Sequence, residues 1–183
     1  EKKLLLNLGA GNDIRNGYIN HDIAPLLNID LLYDLNHYPW PWEDNYFNEI
    51  IAIDILEHLD DFISAIEELH RILKPGAIVT IRVPYWNHSC AYIDPTHKRG
   101  YHEDTFHFFD KDSAYYRDRD YYSKASFKIV DEALLLTPGS PYFTIPKIGI
   151  IYVRGKIIRK IVGWLGNHIS NIIADVQVGM QKI

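Results

Sequence analysis

The sequence predicts an α/β fold: a mostly parallel sheet with an antiparallel C-terminal strand and helices on both faces. Three observations carry this reading. Residues 3–8 form an apolar run that breaks into Gly9-Ala10-Gly11, as a buried strand does on entering a tight turn. EIIAIDIL (49–56), FISAIEELHRILK (62–74) and AIVTIRVP (77–84) read as strand, helix and strand, the crossover that parallel strands need. Hairpin signals are few before residue 85, so the strands there are expected to lie parallel.

The elements follow in order. After the glycine turn, YINHDI (18–23) alternates apolar and polar residues up to Asp22, and IDLLYDL (29–35) follows the break at Pro25; both read as strands. HYPWPWEDNYF (37–47) is a proline- and aromatic-rich loop that packs rings on the core. Asp60 or Asp61 caps the helix, in which Phe62, Ile66, Leu69 and Leu73 recur at helical spacing until Pro75-Gly76 stops it. Residues 85–126 lose all period and gather His88, His97, His102 and His107, so they read as an insertion or lid. FKIVDEALLLTP (127–138) and KIGIIYVRG (147–155) read as two strands joined through Gly139-Ser140-Pro141. The segment 157–176 reads as one helix.

At 183 residues and 47% hydrophobic content, the chain suffices for one core without a staple. It is read as a single domain, 1–183, with a ligand-binding half (1–84), the 85–126 insertion, and closing elements (127–183). Cys90 is alone, which excludes an internal disulfide and points to a reducing, cytoplasmic compartment. The first residues are too short an apolar run for a secretory or membrane segment. The formal charge is −5; in the last 33 residues five basic groups against Asp175 give +4, which leaves −9 on the rest. An acidic body disfavours a broad nucleic-acid footprint.

A strand that runs into Gly-x-Gly lets a ligand approach the backbone at the carboxyl edge of a sheet, and Asp22, at the tip of the next strand, can accept both hydroxyls of a ribose. The loop AGNDIRNG lacks a third glycine and the Gly-Lys-Ser/Thr of a phosphate loop, and Asp13 in it repels a pyrophosphate. An adenosine that carries a positive sulfonium fits these acidic surroundings better than NAD does, which favours S-adenosylmethionine.

LLLNLGAG, then GYINHDI, then YDLNHYPWPWEDNYFNEIIAIDILEHL, then AIEELHRILKPGAIVTIRVP resemble, over residues 3–84, class I S-adenosylmethionine-dependent methyltransferases of the type 11 kind. The resemblance implies a Rossmann-like fold, S-adenosyl-L-methionine as cofactor, and a cofactor site at Asn7, Gly9, Ala10, Gly11, Asp22, Ile23, Asp34, Leu35, Asp54 and Ile55. In it Gly9 and Gly11 would border the methionine part, Asp22 would hold the ribose, Asp34 and Leu35 would flank the adenine, and Asp54 and Ile55 would form the pocket floor. Asn7 stands where the family usually has an acidic residue, and the short stretch between Gly11 and Tyr18 leaves room only for a compressed turn where many relatives have a helix.

Methyl transfer asks the protein mainly for alignment, with a base for hydroxyl acceptors. His58, His88 and His97 are the candidate catalytic residues, with Glu57-His58 placed where the sheet edge faces the acceptor. No metal is expected, because no HxxxH-type pair with a third ligand is evident. DNA is not an expected acceptor: IDILEH stands where adenine-N6 enzymes carry Asn/Asp-Pro-Pro-Tyr, and Cys90 follows Ser89 rather than proline. The expected activity is methyl transfer to oxygen or nitrogen of a small molecule, with a sugar in polysaccharide or natural-product assembly as one candidate. The alternatives are a non-catalytic S-adenosylmethionine- or nucleotide-binding regulator and an NAD-dependent oxidoreductase. The apolar residues Ile157, Ile158, Ile161, Val162, Trp164 and Leu165 need cover. Core packing, a homodimer contact, or a membrane-surface helix peripheral to the inner membrane face would each supply it.

Overall fold

A computed structural model describes residues 3–136, 139–140, 143–144 and 149–183. Its main sheet has the order β3 (Leu31–Leu32), β2 (Ile19–Asp22), β1 (Leu5–Leu8), β4 (Phe47–Ile53), β5 (Leu73–Pro84), β10 (Asp175–Lys182), β6 (Phe127–Leu136), β9 (Ile151–Val153). Strands β1, β2, β3, β4 and β5 are mutually parallel. β10 lies antiparallel between β5 and β6, and β9 pairs antiparallel with β6. Gly139 and Ser140 form β7 (Gly139–Ser140), paired with β8 (Phe143–Thr144); Pro141 of the expected turn lies outside the described residues. The chain leaves β1 in one direction and returns to β4 on its other side, and that switch point is where open α/β sheets bind ligands.

One face of the sheet carries the core. Leu6, Leu8, Ile50, Ala52, Val79 and Ile81 stand at matching register positions and are fully buried, as nearly are Val178 and Met180 of β10. α1 (Phe62–Ile72) covers this face with Ala65, Ile66, Leu69 and Ile72, and its N-terminus is capped by Asp61, which accepts from the Ser64 N–H. The 85–126 segment, with the short helices α2 (Cys90–Ile93) and α3 (Ala114–Asp118), is built into the same core: Tyr101, Phe106 and Phe109 pack their rings against Phe62. These large apolar rings root the segment in the core.

The opposite face presents Glu49, Ile78, Thr80 and Arg82, all partly exposed. The connections 9–18 and 23–30 contain no helix. The first of these connections is the compressed turn that its length demanded.

The helix expected over 157–176 is instead α4 (Lys156–His168) followed by β10. Ile169 is already extended, and Asn171 takes a left-handed turn (φ 63°) that redirects the chain. Beyond it Val176, Val178 and Met180 alternate into the core at strand period. α4 packs through Gly163 and Gly166, where added Cβ atoms would meet Glu103 and Ile173, while Ile157, Ile158, Ile161 and Trp164 face outward. The four exposed residues are therefore not core, because the two glycines, with Val162 beside them, face the sheet.

Candidate active site

A cleft of about 480 Å³ opens over the carboxyl ends of β1, β2 and β4. Gly9 and Gly11, both left-handed (φ 66° and 50°), form its floor beside β1. A Cβ on Gly9 would stand 2.6 Å from Ile55, whereas one on Gly11 would meet nothing within 4 Å, so the turn is tight on one side and open on the other. The Asp22 carboxylate faces this turn: its Oδ2 accepts from the Gly11 N–H at 2.8 Å and its Oδ1 from the Ala24 N–H at 2.9 Å. Each oxygen keeps acceptor capacity for a further donor.

Of the expected cofactor residues, Gly9, Gly11, Asp22, Ile23, Asp34, Leu35, Asp54 and Ile55 line this cleft. Asn7 and Ala10 do not. The Asn7 amide is buried and donates to the Asp13 carbonyl (2.7 Å) and to Asn20 Oδ1 (3.0 Å), so it holds the compressed turn in place of a helix. Ala10 is buried and bonds through its N–H to the His21 carbonyl at 2.8 Å. Asp54, with a positive φ of 53°, forms an ion pair with Arg82 at the rim.

The cleft also takes in His21, Tyr33, Asn36 and Thr96, which sequence reasoning missed. His21 Nε2 lies 3.0 Å from the Tyr33 carbonyl, an acceptor, so that nitrogen carries the proton and Nδ1 accepts from the Gly9 N–H at 3.4 Å. Burial lowers its pKa, which keeps the ring neutral and suited to this double role. A polar residue at an inward strand position beside Asp22 was the available signal.

His58 lines the cleft, and Glu57 and His97 stand beside it outside the lining. Glu57 and His58 sit on a single 3-10 turn, Leu56–His58, held by the Tyr101 hydroxyl, which donates to the Leu56 carbonyl at 3.0 Å. The 94–99 loop is pinned to that turn by the Lys98 N–H, which donates to the Glu57 carbonyl at 2.7 Å. The His58 and His97 rings are 4.7 Å apart, centre to centre, and His97 Nε2 lies 4.0 Å from Glu57 Oε1. Glu57 is 1% exposed, and burial pushes its carboxyl up to about 8. The Thr96 hydroxyl donates to Asp94 Oδ1 at 2.6 Å and so must accept from His58 Nδ1 at 2.8 Å. That assignment leaves the His58 Nε2 lone pair free to take a proton or a cation. Burial first, and His97 second, lower the His58 pKa. His88, by contrast, is not part of the cleft lining: it is buried, and its Nδ1 accepts from the Cys90 N–H at 3.1 Å.

Residues 16–81 match the sequence family described as a methyltransferase domain. No curated protein matches the chain at a significant level. Among solved structures, the chain is similar to a SAM-dependent methyltransferase from Archaeoglobus fulgidus, at 19% identity and a TM-score of 0.61, over 98% of this chain and 86% of that one. It is similar to one from Thermotoga maritima at 15% identity and a TM-score of 0.62, over 100% and 83%. The [4+2]-cyclase SpnF shares the fold too, at 15% identity and a TM-score of 0.55, over 98% and 74%. These likenesses show the fold; the reaction has to be argued from the site.

Proposed function

From a chain with the class I methyltransferase fold, whose residues 16–81 match the methyltransferase domain, we infer an S-adenosyl-L-methionine-dependent methyltransferase acting on oxygen or nitrogen of a small molecule. The observation that carries this reading is the Asp22 carboxylate facing the open side of the Gly11 turn at the sheet's switch point. Asp22 would hold the ribose diol, Asp34 and Leu35 would flank the base, and the left-handed glycines would admit the amino-acid part without side-chain conflict. When bound, the cofactor supplies a sulfonium methyl carbon that passes to the acceptor while the electron pair stays on sulfur.

The chain's own residues align and deprotonate. His58 borders the cleft with its Nε2 lone pair free, and Thr96 and Asp94 fix that tautomer, so His58 would receive the proton of a hydroxyl acceptor. His97 and Glu57 stand behind it as positioning residues. Among the described residues no helix is long and apolar enough to cross a membrane. The outward face of α4, with Ile157, Ile161 and Trp164 beside Lys156 and Lys160, supports contact with an anionic membrane surface and hence a lipid-linked sugar as acceptor.

Calorimetry with S-adenosylmethionine and S-adenosylhomocysteine tests the cofactor, and transfer of labelled methyl to sugar acceptors tests the reaction. Binding without turnover on any acceptor would favour the regulatory alternative, and no binding would overturn both readings. Co-sedimentation with liposomes that is indifferent to anionic lipid would remove the membrane reading.

A further inference from the structure

Two stretches of chain forty residues apart bring three metal-ligating side chains to one place beside the cleft. We propose that Glu57, His58 and His97 form a binding site for a divalent transition-metal cation of the zinc class, with coordination positions left for water or an acceptor oxygen. One ligand atom from each residue can be chosen so that all lie within 4.8 Å of one another, close enough for small side-chain rotations to enclose an ion.

The polar atoms there are unsatisfied by protein. Glu57 Oε2 and His97 Nδ1 are buried without a hydrogen-bond partner. Buried polar atoms seldom remain orphaned, and a carboxyl that is 1% exposed ionises readily only beside a counter-charge. The nearby cations are engaged elsewhere, Arg82 with Asp54 and Lys98 with Asp60. A bound cation would give the Glu57 carboxylate its counter-charge and take one lone pair from each ring.

The surroundings also order the ligands as metal sites require. The Asp94–Thr96–His58 chain holds one ring nitrogen protonated and turns the other out as a donor, the arrangement by which outer groups fix a ligating histidine. Two imidazoles and one carboxylate match zinc or cobalt rather than the all-oxygen shells of magnesium and calcium. Three protein ligands with an open position are the pattern of a catalytic rather than a closed structural site. With the ion bound, His58 is a ligand and the ion replaces it in activating an acceptor hydroxyl; that role rests on the methyltransferase reading above, whereas binding itself does not.

The test uses tag-free full chain stripped with chelator and titrated with Co²⁺, read by visible absorption and by competition with Zn²⁺. The expected result is saturable binding of one ion per chain, at least about 100-fold weaker in His97→Ala and in Glu57→Gln, and unchanged in His168→Ala, which removes an exposed histidine of α4. Thermal transitions of the apo variants verify that they fold; should Glu57→Gln fail to, His58→Ala and His97→Ala decide. No saturable binding by the parent chain, or equal affinity in the His97→Ala variant, would overturn the proposal. S-adenosylmethionine binding is measured separately on the same stripped protein, so loss of either binding activity alone identifies which inference has failed.

Discussion

Asp22 and Gly11, eleven positions apart, meet at 2.8 Å across the tips of β1 and β2, carboxylate oxygen to backbone amide. The bond ties the glycine turn to the neighbouring strand and aims a negative group along the cleft floor. Replacing Asp22 with alanine removes acceptors from both Gly11 and Ala24, at a cost of about 1.5–3 kcal/mol for hydrogen bonds to a charged group. Asp22→Asn keeps one acceptor and should lose roughly half as much stability. Both variants should weaken S-adenosylmethionine binding by tenfold or more. Chemical denaturation and calorimetry on the pair check this; unchanged cofactor affinity in Asp22→Ala would refute the role given to Asp22.

Gly9 joins a positive φ to a close approach, with Ile55 2.6 Å from where its Cβ would be. Gly9→Ala is expected to cost about 1–3 kcal/mol, part from backbone strain and part from the clash. Adding Ile55→Ala should relieve only the steric part. A double-mutant cycle by denaturant titration measures the rescue, and complete recovery would mean that the backbone conformation is not strained.

His107 donates to Glu132 at 2.8 Å between the 103–109 turn and β6, and Arg159 pairs with the same carboxylate. The Glu132 hydrogen bond outweighs burial and raises the His107 pKa. For Glu132, burial pushes upward, but His107 and Arg159 win and lower it. A raised histidine stabilises fully below its unfolded value near 6.5, and that contribution is lost as pH rises through the folded value. A lowered carboxylate contributes above its unfolded value near 4.3 and loses that contribution as pH falls through the folded one. The contribution of this pairing to stability should therefore be greatest at about pH 5–6 and decline toward pH 8. Glu57, pushed to about 8, and Asp175, to about 6, both mainly by burial, also lower stability as pH rises, so the comparison must be differential. In His107→Gln the alkaline decline should shrink by about 1 kcal/mol, or roughly 2–4 °C in melting temperature. Superimposable pH profiles for the two proteins would rule the pairing out as a stability determinant.

The legible parts of the molecule are those in which neighbouring residues decide the outcome. β1, β4, α1 and β5 follow from uninterrupted apolar runs, a capping Asp61 and the Pro75-Gly76 stop, all read locally. β10 was obscured because Ile169, Ile172 and Ile173 prolong the helical spacing of α4, although the backbone is extended at Ile169 and left-handed at Asn171. The outward aim of α4 was equally hidden, since its buried face consists of Gly163 and Gly166, residues that carry no hydrophobic signal. In the cleft, Gly9, Gly11 and Asp22 were readable from position relative to strand ends. Thr96 and His97 were not placeable, because long-range bonds, from Lys98 to the Glu57 carbonyl and from His58 to Thr96, set their loop beside the β4 turn.

That loop also controls the protonation pattern of His58. Since the Thr96 hydroxyl gives its proton to Asp94, it can only accept from His58, which places the ring proton on Nδ1. Thr96→Val deletes the acceptor while keeping the side-chain volume, so the ring should move toward the Nε2–H tautomer that free histidine prefers. Imidazole nitrogen shifts by NMR report this directly on stripped protein, without reference to activity. In the parent chain the His58 Nδ1 resonance should show the attached proton, and in Thr96→Val it should not. Turnover on a hydroxyl acceptor should fall about 10- to 100-fold in the variant, because the nitrogen facing the cleft no longer offers a lone pair. A parent chain in which Nε2 carries the proton would remove His58 as the base.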